Sequence, residues 1–149
     1  MATLLDDRFV ILVVGKIPTE YSINHPKIIQ TGFLRPKQLA YLYKISALHI
    51  SASLEETFGM TFIEAAMQGT RSIGFDSTAI GEILSLAKGR KVNDYSAMSL
   101  AEMINKLIAD GNYKLSDSEM IEIRNEFSVE TMARKYIELY EEILRKVRN

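Results

Sequence analysis

The chain has 149 residues, 47% of them hydrophobic, a length and composition suited to one domain with enough apolar material for a core. Its 18 basic and 19 acidic side chains leave a net charge of -1, so nothing marks a nucleic-acid surface and any anion site must be local. With no cysteine there is neither disulfide nor thiolate chemistry, and the pair His25 and His49 is too little for a zinc site.

In chain order, "RFVILVVG" (residues 8–15) is a β-branched run closed by glycine, which predicts a strand buried on both faces of a parallel sheet. A polar, proline-containing loop leads to a second strand, "KIIQTGF" (27–33). Pro36 then suits the first turn of a helix carrying Leu39, Leu42 and Tyr43 at helical spacing. "ALHISAS" (47–53) and "GTRSIGF" (69–75) are the third and fourth strands, with a helix between them. "STAIGEILSLAKG" is a further short helix, capped by Ser77 or Thr78 and stopped by Gly89, and "RKVN" is a last short strand.

Beyond Asn93 the pattern is helical throughout. Asp94 is expected to cap a helix whose inner face is Met98, Ala101, Ile104, Leu107 and Ile108. Ser116 and Glu119 form a capping box for the next helix, which ends near Phe127. Ser128 opens the last one, with Met132, Tyr136, Leu139, Tyr140, Ile143, Leu144 and Val147 forming a wide apolar stripe that has to dock on something. The alternation of strand and helix predicts an α/β fold, a doubly wound parallel sheet with a helical C-terminal segment, and a ligand crevice at the carboxyl ends of the strands.

Residues 55–70, "EETFGMTFIEAAMQGT", fall at that crevice. A helix beginning near Met60 turns the N–H groups of Gly59, Met60 and Thr61 and the positive end of its dipole outward, which suits a phosphate. Glu56 and Glu64 lie on either side, and an ionised carboxylate accepts hydrogen bonds from hydroxyls such as the diols of a ribose or hexose. On spacing alone the ordinary preference of acidic residues for a first helical turn accounts for the pair more readily than a ligand site does.

The wider stretch "SASLEETFGMTFIEAAMQGT" closely resembles the E-x7-E signature of the retaining GT-B glycosyltransferases of glycosyltransferase family 4, the glycosyl transferases group 1. Ser53, Glu56, Phe58, Gly59, Glu64, Ala65, Gly69 and Thr70 match it in register. "IIQTGFLRPKQLAYLYKISALHISAS" before it and "GEIL", "NDYSAMSLAEMINKLIAD" and "FSVETMARKYIELYEEIL" after it extend the likeness over nearly the whole chain.

The resemblance implies a Rossmann-like, donor-binding C-terminal half of a two-domain enzyme that moves a sugar from a nucleoside-diphosphate sugar to a hydroxyl acceptor with retention. It implies Glu56 at the hydroxyls of the transferred sugar, as the catalytic residue, and Glu64 at the ribose. Phe58, Gly59, Met60 and Thr61 would complete the donor site, with Phe33, Leu34 and Arg35 against the base. No cofactor or metal is implied; the nucleotide sugar is a substrate. The partner is an N-terminal acceptor-binding domain, absent here together with the first strand-helix unit, so that residues 1–149 form a single nucleotide-sugar-binding domain, expected to be inactive alone.

That missing unit carries the family's Gly-Arg pair and a Lys, which neutralise the donor diphosphate; Arg71, Lys16, Arg35 and Lys37 are the basic residues nearest the crevice in sequence, and none stands in the matching position. Gly69-Thr70-Arg71 replaces the usual Gly-Thr-Pro, and Thr57 the usual Gly before Phe-Gly. A non-catalytic nucleotide-sugar-binding or interaction module derived from the fold is the alternative reading.

Other features receive plainer readings. His49 is expected as a hydrogen-bonded core histidine, and Glu82, although it resembles a recurrent family glutamate, is explained by its place near a helix start. The N-terminus, with Asp6, Asp7 and Arg8 directly after Leu5, has no signal-peptide pattern, and the longest apolar run (9–14) is far short of the roughly 20 residues that span a membrane. A cytoplasmic protein is expected, with peripheral association at the inner membrane face through the full enzyme.

Overall fold

The computed structural model describes residues 2–5 and 7–148; Met1 and Asp6, which entered the reading of the N-terminus, lie outside them. Two parallel ladders organise the fold. Strands β1 (Ile11–Val14) and β2 (Ile28–Gly32) form one, with Ile11 opposite Ile28. Strands β3 (His49–Ile50), β4 (Ser72–Phe75) and β5 (Arg90–Val92) form the other, in the order β3-β4-β5. The helices are α1 (Pro36–Ile45), α2 (Met60–Met67), α3 (Thr78–Leu86), α4 (Ala97–Ala109), α5 (Asp117–Glu126) and α6 (Val129–Arg148).

The second ladder is covered on both faces. Phe62, Ile63 and Ala66 of α2, Ile80, Ile83 and Leu84 of α3 and Ile123 of α5 make one core. Ile73, Phe75 and Val92 of the strands pack with Leu100, Ala101, Ile104 and Leu107 of α4 to make the other. All four residues of β4 are buried, as a strand sandwiched between helices requires.

The strand expected to be buried on both faces is a different one. β1 spans four residues and alternates half-buried with exposed, Leu12 and Val14 facing outward. The reason lies in its connection to β2: residues 15–27 contain a short 3-10 turn at Thr19–Tyr21 and no α-helix to cover that face. β3 is likewise shorter than its seven-residue sequence run, although Ser51 extends the pairing by donating its N–H to Ile73 O at 3.0 Å.

Two helix ends and one helix face differ from their sequence signals. α3 stops at Leu86 and Lys88 adopts the left-handed conformation (φ 55°) expected of Gly89. Gly89 is needed for space instead, since a Cβ there would stand 2.5 Å from Leu84 Cδ2 and 2.9 Å from Ser72 O. α4 is capped by Ser96, whose hydroxyl accepts from Ser99 N–H at 3.1 Å. Asp94 stands behind that cap, accepting from the Ser99 and Ser96 hydroxyls, which hold its carboxyl below the usual range. Leu100 takes the inward position on α4, and Met98, in the first turn, is exposed because it lies round the helix from the buried arc of 100, 101, 104 and 107.

Arg71 locks the back of the fold. It is buried, donates to Lys88 O and, at 3.2 Å, to Lys114 O, and pairs with Glu119 at 3.3 Å. Glu119 also closes the α5 capping box with Ser116. Burial opposes its ionisation, but the Ser116 donors and Arg71 together hold its pKa below the ordinary value.

Candidate functional site

The acidic turn is built by a strand, a loop and a helix start. His49 N–H and Ser51 N–H donate to Arg71 O and Ile73 O, carrying the chain along β4, after which residues 52–59 cross to α2. Gly59 makes the turn: its φ of 79° is left-handed, and a Cβ there would lie 2.7 Å from Phe62 Cδ2. The helix therefore begins against a phenyl ring packed directly beneath the glycine. Met60 and Thr61 form its first, exposed turn, where amide N–H groups have no intrahelical acceptor.

A second helix start meets the same loop. Ser77 Oγ donates to Leu54 O at 2.8 Å, while Thr78 Oγ1 accepts from Glu56 N at 3.3 Å and donates to Glu56 O at 3.4 Å. Thr78 has a φ of 42°, a costly conformation for a β-branched residue. The main chain at Glu56 is thus held by the start of α3, a tie that sequence reasoning missed: Ser77 and Thr78 read there only as caps, and no pattern announces a bond across 22 residues.

Glu56 is half-buried in the loop and Glu64 is exposed on the second turn of α2. Among the described residues neither carboxylate belongs to an ion pair. Glu64 faces Tyr43 of α1, whose phenol is pushed up to about 12, first by burial and then by the Glu64 charge. Beneath them Tyr43, His49 and Phe62 stack edge to face, with centroids 5.5 Å and 5.3 Å apart. His49 shares a 3.0 Å hydrogen bond with Ser72 Oγ, and burial lowers its pKa to about 4, so at neutral pH it is an uncharged core residue, as expected.

Glu56, Gly59, Met60, Thr61 and Glu64 are therefore gathered round one turn. Phe58 belongs to that turn but its ring stands edge-on to Phe127 at 6.5 Å, where α5 gives way to α6. Phe33, Leu34 and Arg35 lie elsewhere, on the loop from β2 into α1. Phe33 is 80% exposed, and Arg35 N–H donates to Gln38 Oε1 at 3.0 Å in the first turn of α1. Leu34 lines an open groove of about 530 Å³ with Thr31, Lys37, Gln38, Tyr41, Leu42 and Ile45. Glu82 sits in the second turn of α3, exposed, past the capping positions that would have explained it. Arg71 is committed to the interior.

The chemistry this turn can perform is reception of a polar ligand: donors from a helix start flanked by two acceptor carboxylates. A family model described as glycosyl transferases group 1 matches residues 4–125, and the chain belongs to that family. Sugar transfer is the family's general chemistry. A serotype-specific mannosyltransferase WbdA of Escherichia coli is 25% identical over 95 residues, which are 64% of this chain and 12% of the relative. An alpha-monoglucosyldiacylglycerol synthase of Streptococcus pneumoniae is 34% identical over 58 residues, 39% of this chain and 13% of the relative. The chain thus spans only a small part of the length of the curated relatives it matches. Among the described residues no helix is long and apolar enough to cross a membrane.

Proposed function

We propose that this chain is the donor-binding half of a retaining glycosyltransferase that uses a nucleoside-diphosphate sugar. One observation carries the reading: in a group 1 chain, the acidic motif folds as a left-handed Gly59 turn at the carboxyl end of a parallel sheet, with an open helix start between Glu56 and Glu64. In this reading the Gly59, Met60 and Thr61 amides receive the diphosphate, Glu64 accepts from the ribose hydroxyls and Glu56 from those of the sugar. The bond from the anomeric carbon to the diphosphate breaks, the diphosphate leaving with the electron pair. A bond to the acceptor oxygen takes its place on the same face, the hydroxyl proton passing to the released diphosphate, so that configuration is retained.

The hydroxyl acceptor would be presented by a separate acceptor-binding domain, and closure of the two halves would exclude water from the reacting carbon. Arg71 supports the diphosphate only indirectly, by bracing β4 and α5, so its charge is not available at the site.

The test is a thermal melt of the chain with UDP-, GDP- and ADP-sugars. A ligand that binds only the folded form at a hundred times its Kd adds about 2.7 kcal/mol, an upward shift of several degrees. The expected result is stabilisation by one of the three and no sugar transfer by the chain alone. Turnover by this chain alone would contradict the assignment as half of an enzyme, and no shift with any of them would contradict donor binding.

A further inference from the structure

Tyr43 is the one buried residue of α1, only 8% exposed. Its place is fixed by its main chain and its ring. Thr70 Oγ1 donates to Tyr43 O while Thr70 N–H donates to Ala65 O at 3.0 Å, so one threonine ties the last turns of α1 to the neighbour of Glu64 on α2. Lys114 Nζ donates to Thr70 Oγ1 at 2.9 Å and to Ser46 O at 2.6 Å, pinning the same helix end. The ring is wedged edge-on to His49, with centroids 5.5 Å apart. None of these contacts uses the phenolic oxygen. A buried tyrosine ordinarily finds a hydrogen-bond partner for its hydroxyl, yet among the described residues this one has none, and it is not sealed in either: the enclosed side-chain atom without a partner is Arg71 Nε. Beside it stands Glu64, exposed and in no ion pair among the described residues. Burial and then the Glu64 charge push the phenol up to about 12, so at neutral pH it is a fixed O–H donor next to a carboxylate.

We propose that Tyr43 is a specificity-determining residue for the nucleotide, its hydroxyl donating to the ribose oxygen whose own O–H is accepted by Glu64. This rests on the donor-binding reading of the turn and names what the ribose end of that site requires. A sugar hydroxyl drawn out of water loses partners both for its proton and for its oxygen lone pairs. Glu64 replaces the first and has no hydrogen with which to replace the second. Tyr43 supplies that hydrogen. Its ring is already immobilised by His49 and the α1 anchor, so little side-chain freedom is lost when the bond forms. A deoxy sugar would leave both protein groups facing carbon, and the pair therefore selects against it.

The test is calorimetric titration of UDP, GDP and ADP into the parent chain, then of the 2′-deoxy and 3′-deoxy forms of whichever binds tightest into the parent and Tyr43→Phe. The parent should bind one deoxy form roughly tenfold more weakly than the ribonucleotide, and Tyr43→Phe should weaken the ribonucleotide severalfold while changing the affinity for that deoxy form little. Because the hydroxyl has no partner among the described residues, Tyr43→Phe should melt with the parent. The carbon-13 resonance of Tyr43 Cζ should move as the pH passes through the carboxylate range, and Glu64→Gln should remove most of that movement. Four results would each overturn the proposal and leave the donor reading standing. These are unchanged ribonucleotide affinity in Tyr43→Phe, equal weakening of ribo and deoxy forms, a clearly lower melting temperature, and a Tyr43 resonance indifferent to Glu64→Gln. Binding of none of the three nucleotides by the parent would overturn the donor reading and this proposal with it.

Discussion

Gly59 and Phe62 are fitted to each other: the left-handed φ of 79° at Gly59 lets the first turn of α2 close over the phenyl ring, with no room for a Cβ, which would stand 2.7 Å from Cδ2. The position of the amides at Met60 and Thr61 therefore depends on a residue without a side chain. Gly59→Ala is expected to lose about 2 kcal/mol of stability from left-handed strain and crowding. Urea unfolding checks this, and an alanine variant as stable as the parent would show that the turn is not held in this conformation.

Thr78 ties Glu56 to the start of α3 through its hydroxyl. Thr78→Val keeps the branched shape and the backbone cost but removes both bonds, and should lose about 1 kcal/mol while Thr78→Ser loses much less. Hydrogen exchange at the Glu56 amide should quicken in the valine variant alone.

His49 makes folding sensitive to acid. Burial lowers its folded pKa to about 4, below the ordinary histidine value of 6.5. The unfolded chain therefore takes up a proton that the folded one refuses. The stabilisation is fully present above pH 6.5 and is lost as pH falls toward 4, amounting to about 3 kcal/mol at most. Denaturant midpoints for the parent and for His49→Gln, measured across that window, should converge at the acid end; parallel curves would contradict the neutral, buried state.

Arg71 binds β4 to the α3 terminus and α5 through Lys88 O, Lys114 O and Glu119. Arg71→Ala leaves those part-buried acceptors without their shared donor and opens a void where the buried guanidinium packed, and is expected to cost about 3 kcal/mol, measured as a lower urea midpoint. A phosphate-binding arginine would instead leave stability unchanged and weaken nucleotide affinity.

Much of this architecture is visible in the residues themselves. The strand-helix alternation, Pro36 at the start of α1 and the Ser116 and Glu119 box are local signals, and each places its element correctly. What failed was burial that depends on distant chain. The apolar run at residues 9–14 looks like a core strand, yet no helix from residues 15–27 covers it, and the truly enclosed strand is β4. Asp94 and Ser96 are both able caps two residues apart, and only the backbone angles decide between them. At the site the motif was readable because its glycine and glutamates are spaced along one turn. The Thr78 tie was not, because it joins two loops whose only link is the fold.

The most direct test of the account is calorimetric titration of UDP-, GDP- and ADP-sugars into the parent chain, Glu64→Ala and Glu56→Ala. The account predicts saturable binding that prefers one base, weakened roughly tenfold or more in Glu64→Ala as ribose hydrogen bonds to a charged acceptor are lost, with the free nucleotide bound almost equally by the parent and Glu56→Ala. Equal affinity in the parent and Glu64→Ala, or no binding of any of the three, would contradict a donor site at this turn.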